Sequence, residues 1–169
     1  MNEQLIVLLK GLLADTVALK FKAHGYHWNV ETDDFPQYHE FFGDIYQEYD
    51  SAIDPLAEWI RMLGDYAPFK LSRFNALSSI PETDVTSDHE DMSMDLYKAN
   101  EPMIAKFAAA CDIATNAKQF GLANFLGDRQ TAHQKWSWQL KATCSEMAME
   151  AVTEANPGMP EPAAPTVNA

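Results

Sequence analysis

Two histidines and two carboxylates in the first third of the chain have types and spacings suited to a divalent transition metal. They are His27, His39, Asp54 and Glu58. Imidazole nitrogen combined with carboxylate oxygen is a mixed donor set that suits ferrous iron. Asp54 and Glu58 stand one helical turn apart, so on a helix both carboxylates leave one face. Taken singly, each residue has an ordinary explanation, as a surface histidine or as part of a solvated acidic face. The surroundings of the acidic pair weaken that explanation. Like charges one turn apart repel by roughly a few tenths of a kcal/mol. Pro55 between them costs about 3 kcal/mol in a helix interior. Two local penalties in so short a segment point to a functional reason.

The elements that must position these residues are helices. Residues 2–28 carry Leu5, Leu9, Leu12 and Leu19 at helical spacing, with Ile6, Leu13 and Val17 beside them, which predicts an amphipathic helix ending at His27. A second helix is expected over 35–63, striped by Tyr38, Phe42, Ile45, Tyr49, Leu56, Ile60 and Leu63. Asp34 and Gln37 resemble a capping box for it, and Pro36 sits in its first turn, where proline is tolerated. Gly64 to Ser87 reads as a long connection containing a short helix at Lys70–Leu77. A third long helix should open on a capping box of Ser87 and Glu90 and run to about 115, kinked or split at Pro102. A fourth is expected over 118–153, with Leu122, Leu126, Trp136, Leu140 and Met147 on one line. His133 falls on that line and reads as a buried, hydrogen-bonded histidine. The result is an all-α chain: a four-helix bundle over 1–155, up and down, then a long crossover, then down and up. The tail over 156–169, with four prolines and no basic residue, reads as disordered.

Geometry excludes the simplest metal site. His39 and Asp54 lie fifteen residues apart on one helix, so about 22 Å apart at 1.5 Å per residue. One ion cannot bind both. A twofold axis crossing this helix near residues 47–49 would lay two copies antiparallel and bring His39 of one chain near Asp54 and Glu58 of the other, twice over. Bundles that build a di-iron centre within one chain place Glu-x-x-His on two helices. None of the five histidines here has a Glu three positions before it.

Composition bounds the alternatives. The chain has 169 residues, enough for one domain with a sizeable core, and a net charge of −13. Proteins that hold nucleic acid by its phosphates carry basic patches or tails, whereas Lys10 is the only basic residue among the first nineteen. No apolar run approaches the roughly 18–20 residues that span a bilayer. Cys111 and Cys144 are too few and too far apart for a disulfide framework. With a start that lacks the features of a secretory signal, a cytoplasmic location is expected.

The stretch His27-Trp28-Asn29, then His39, Asp54 and Glu58 at these intervals, resembles the signature of the Dps family, the mini-ferritins named as DNA-binding proteins from starved cells. The similarity covers about residues 5–150, including the long middle connection and the run Lys135-Trp136-Ser137-Trp138. It implies a ferritin-like four-helix bundle and a homo-oligomer, a hollow dodecamer. Inter-subunit ferroxidase sites would bind ferrous iron, oxidise it with hydrogen peroxide or oxygen, and store the ferric product. By that matching, His27 and His39 come from one subunit and Asp54 and Glu58 from its twofold mate. Three departures bear on function. Gly43 stands where many members have an Asp one turn after the second histidine. Its lack of a ligand is expected to leave a tighter position served by Asp54 and Glu58 and a weaker one held by His27 and His39, which Gly43→Asp would strengthen. Asn124 stands where relatives place acidic residues lining an ion pore. The basic terminal extension used to grip DNA is missing, which disfavours a second reading as a DNA-compacting protein.

Overall fold

Helical stripes with short turns between them fold back on one another in pairs. The computed structural model describes residues 2–84 and 86–144. Within them the chain forms α1 (Asn2–Asn29), α2 (Phe35–Met62), the short α3 (Leu71–Leu77), α4 (His89–Asn116) and α5 (Phe120–Ala142), with no strand among the described residues. The expected stripes are the core: Leu5, Leu9, Leu12 and Leu19 from α1, Phe42, Ile45, Tyr49, Leu56 and Ile60 from α2, and Leu122, Leu126 and Leu140 from α5 are buried. Met147, the expected helix over 145–153 and the tail over 156–169 lie outside the described residues.

Two hydrogen bonds at opposite ends define the topology. The Glu31 amide, in the turn between α1 and α2, donates to the Ser87 carbonyl just before α4 at 2.9 Å. Lys10, near the start of α1, reaches Asp65 beyond the end of α2 at 2.8 Å. The crossover therefore travels the length of the bundle, and α4 runs parallel to α2. The order is up, down, down, up, as expected. Gly64 turns the chain out of α2 with φ +94°, a conformation that glycine adopts at little cost. Buried Asp15 of α1 anchors the end of α3, accepting from the Ser79 amide at 2.6 Å and from Lys106 of α4 at 2.6 Å.

Local details differ from expectation at four places. The last long helix, expected over 118–153, ends at Ala142 with Thr143 as its C-cap. Asp88, not Ser87, caps α4: its side chain accepts from the amides of Glu90 and Asp91 at 2.9 Å each. Asp34 precedes α2 without a side-chain cap bond. Pro102 does not split α4, which is one helix from 89 to 116. The carbonyl that Pro102 leaves without its helical donor belongs to Lys98, and both residues lie on the exposed face. Solvent can satisfy that carbonyl, while buried Met103, Phe107 and Ala110 hold the following turns on the core. No helix among the described residues is long and apolar enough to cross a membrane.

Candidate metal centre

The hairpin between α1 and α2 brings His27, in the last turn of one helix, against His39, near the start of the next. Their rings stack with centroids 3.7 Å apart and an interplanar angle of 22°. Each ring also makes a hydrogen bond to the other residue's backbone. His27 Nδ1–H donates to the His39 carbonyl at 2.6 Å, and His39 Nδ1–H donates to the His27 carbonyl at 2.7 Å. The His27 carbonyl lies in the last turn of α1, where helical donors run out, so the contact also closes that helix end. A neutral imidazole carries one proton. With it held on Nδ1 by a carbonyl, the lone pair belongs to Nε2, the arrangement found at metal-ligating histidines. Phe35 covers the other side of His39 with a centroid distance of 5.0 Å.

Asp54 and Glu58 are exposed in the second half of α2, with Pro55 between them. One chain does not bring them to the histidines, and no group of three or more His, Cys, Asp or Glu gathers among the described residues. A single chain thus presents a nitrogen pair near one end of α2 and an oxygen pair toward the other.

Two features of the geometry bear on the expectations for this site. A metal sits in the plane of an imidazole, about 2.1 Å from its nitrogen. The planes of stacked rings tilted by only 22° meet well beyond that reach, so His27 and His39 as placed cannot share one ion. Gly43 also differs from a position that merely lacks a ligand. It is buried, and a Cβ built on it would lie 3.2 Å from His27 Nδ1 and 3.4 Å from His27 Cε1. A side chain introduced there would ask the His27 ring to give by a few tenths of an ångström.

His24 is a neighbour that the site spacing overlooked. Its ring stacks on Tyr46 at 4.0 Å and lies 4.1 Å from Trp28 and 6.0 Å from His27. Burial, then the charges of Lys20 and His27, lower its pKa, against an opposing pull from Asp50. The three-residue spacing from His24 to His27 already places both on one helix face, a signal present in the sequence. Tyr46 meets His27 edge-on at 5.3 Å. His133, by contrast, is the buried, hydrogen-bonded histidine that its place on the apolar line implied.

A family model for the ferritin-like domain matches residues 6–149. DNA protection during starvation protein 2 of Bacillus anthracis is 30% identical over 142 residues, covering 84% of this chain and 97% of that protein. The DNA protection during starvation protein of Helicobacter pylori is 29% identical over 136 residues, covering 80% of this chain and 94% of its own. A Dps crystal structure from Bacillus brevis superposes with a TM-score of 0.79 at 28% identity, covering 83% of this chain and 95% of that one.

Proposed function

The chain belongs to the ferritin-like family, in its Dps mini-ferritin branch, and on that premise we propose that it oxidises ferrous iron at sites shared between twofold-related subunits and stores the product inside a hollow oligomer. The observation that carries this reading is the reciprocal His27–His39 pair, two imidazoles with both protons committed to backbone carbonyls and both Nε2 lone pairs left for metal. Each histidine serves its own ion. Asp54 and Glu58 of a twofold-related copy supply oxygen ligands and negative charge, which a single chain cannot deliver to this place. Two adjacent ferrous ions give one electron each, so together with two protons they reduce one hydrogen peroxide to two waters without releasing a one-electron radical. Oxygen is the alternative acceptor. A net charge of −13 suits the uptake of cations more than the coating of phosphates.

Anaerobic ferrous titration of the assembled protein, followed by stopped-flow absorbance on adding peroxide or oxygen, tests the reading. Saturation near two ions per chain, with about one peroxide consumed per two irons, is the expected result for a paired centre. The absence of saturable binding would remove the proposed activity. Saturation at one ion per chain would remove the pairing.

A further inference from the structure

Trp28 follows the first histidine of the site, and it is 61% exposed. An indole left in water forgoes apolar burial that a second surface can supply. The shared site proposed above fixes where that surface stands. α2 has α1 on one flank and α5 on the other, where Glu48 pairs with Arg129 and accepts from Trp136 Nε1–H. A second copy therefore reaches α2 only across the face that α1 and α2 form together, and the twofold axis crosses both helices. Contacts within the hairpin give the level of that crossing on α1. His27 lies against Gly43, His24 stacks on Tyr46 and Lys20 pairs with Asp50, so each step back along α1 matches one step forward along α2. An axis at residues 47–49 of α2 thus crosses α1 at about residues 21–23. Two antiparallel copies of α1 meet there, each residue facing one equally far beyond the axis. Trp28 then faces about residues 14–18 of the second copy.

Those residues line an apolar groove. Ala14, Val17, Ala18 and Phe21 of α1 form one side of it, and Leu71 and Phe74 of α3 the other. Small side chains at 14 and 18 give it depth, and its volume of about 720 Å³ is ample for an indole. Phe21 and Leu71 are themselves exposed, so the groove is continuous with the apolar line that holds Trp28. We propose that Trp28 docks in the α1–α3 groove of a twofold-related copy, in a reciprocal pair. The inference rests on the shared site proposed above, which sets the axis. It adds the occupant of the groove, an aromatic anchor of the kind that dominates interfaces. It also links assembly to chemistry: seating the residue next to His27 brings the histidine pair against Asp54 and Glu58 of that copy.

The photoreactive residue p-benzoylphenylalanine in place of Trp28 tests the contact in the assembled protein. Subunits carrying it are mixed after dissociation with an excess of nitrogen-15-labelled wild type, reassembled and irradiated. Mass spectrometry identifies the joined peptides, and the label separates links between subunits from links within one. Links to the nitrogen-15 chain should fall within residues 14–21 or 71–74. Links confined to other segments of that chain, or none to it, would overturn the proposal. Trp28→Ala and Val17→Trp give a second measurement that needs no probe. Each should raise by about tenfold or more the subunit concentration at which dimers form, read by sedimentation, while the helical circular dichroism spectrum is kept. An unchanged value in both variants would also overturn the docking. If hybrids of His39→Ala and Asp54→Ala regain oxidation but the links land elsewhere, the shared site stands and this docking fails. If the links land as expected in a protein that binds no iron, the docking stands and the function proposed above fails.

Discussion

At the centre of the bundle, the Asn100 side chain has a partner for every hydrogen bond its amide can make. Its Oδ1 accepts from the Tyr49 hydroxyl at 2.8 Å and from His133 Nδ1–H at 2.5 Å. Its Nδ2 donates to the His133 carbonyl and to Ser137 Oγ, both at 2.8 Å. The His133 ring lies between Tyr49 and Phe107, at 5.4 and 4.9 Å. Burial, aided by the Arg129 charge, pushes its pKa from 6.5 down to about 3. A folded-state pKa below the unfolded value means that the unfolded chain binds more protons between those two limits. The contribution is therefore fully present above about pH 6.5 and is lost as the pH falls toward 3. One proton corresponds to about 1.4 kcal/mol per pH unit. Thermal melts at fixed protein concentration should show stability falling from pH 6.5 to 5, before most carboxylates titrate. His133→Leu should flatten that part of the curve, whatever its stability at pH 7. A slope in the variant equal to that of the wild type would refute the assignment. The burial of His133 was legible because it sits seven residues from Leu126 on an apolar line. Its partners were not, because Tyr49 and Asn100 come from other helices and nothing in the linear order pairs them. The same holds for Gly43, whose nearest side-chain neighbour, the His27 ring, lies sixteen residues away across a turn.

The boundaries of the first three long helices followed the apolar period closely, whereas α5, expected to reach 153, ends at Ala142, and the other errors fall on the caps. Ser87-x-x-Glu90 and Asp88-x-x-Asp91 are overlapping patterns one residue apart, and either can open a helix. The choice is made by tertiary structure. The Ser87 carbonyl is taken by the Glu31 amide, which fixes Ser87 to the α1–α2 turn and leaves Asp88 to accept from the first free amides of α4. Asp88→Ala should therefore cost about 1 kcal/mol, the usual value for a lost cap, while Ser87→Ala should stay within roughly a few tenths. Asp34→Ala should also cost less than Asp88→Ala, since Asp34 makes no side-chain cap bond. Urea denaturation of the three variants under identical conditions checks the ranking; a larger loss from Ser87→Ala than from Asp88→Ala would contradict it. The prolines show the same limit from the other side. Propensity alone predicts a break at Pro102, yet the buried residues on either side keep α4 whole. The bundle order itself was legible, because a connection of more than twenty residues between the second and third long helices is long enough to return along the bundle.

A single chain leaves much of its α1 flank unfinished. Val7, Phe21 and Trp28, spaced by multiples of seven and so near one line of the helix, are all exposed, as are Phe35 and Met62 on α2 and Leu71 on α3. Large apolar side chains left exposed along one line of a helix mark an association face, and Trp28 adjoins His27. This agrees with a twofold partner that covers the histidine pair and offers Asp54 and Glu58 to it. The proposed shared site asks for a second chain, and that demand is legible in the spacing of His39 and Asp54; the form of such docking is a property of the assembly and not of any one helix. Complementation tests the shared site. His39→Ala and Asp54→Ala should each fold and assemble but lose rapid iron oxidation. In a hybrid dimer of the two, one site combines both defects, while the other takes its histidines from the Asp54→Ala chain and its carboxylates from the His39→Ala chain, and is intact. Random mixing makes half the dimers hybrid, so an equal mixture should recover about a quarter of wild-type activity, as twofold symmetry requires. A mixture of His27→Ala and His39→Ala should recover none, because each intact site needs both histidines from one chain. Native mass spectrometry of subunits carrying different tags establishes that hybrids formed. Recovery in the second mixture, or its absence in the first once hybrids are present, would mean that the four residues do not divide between subunits in this way.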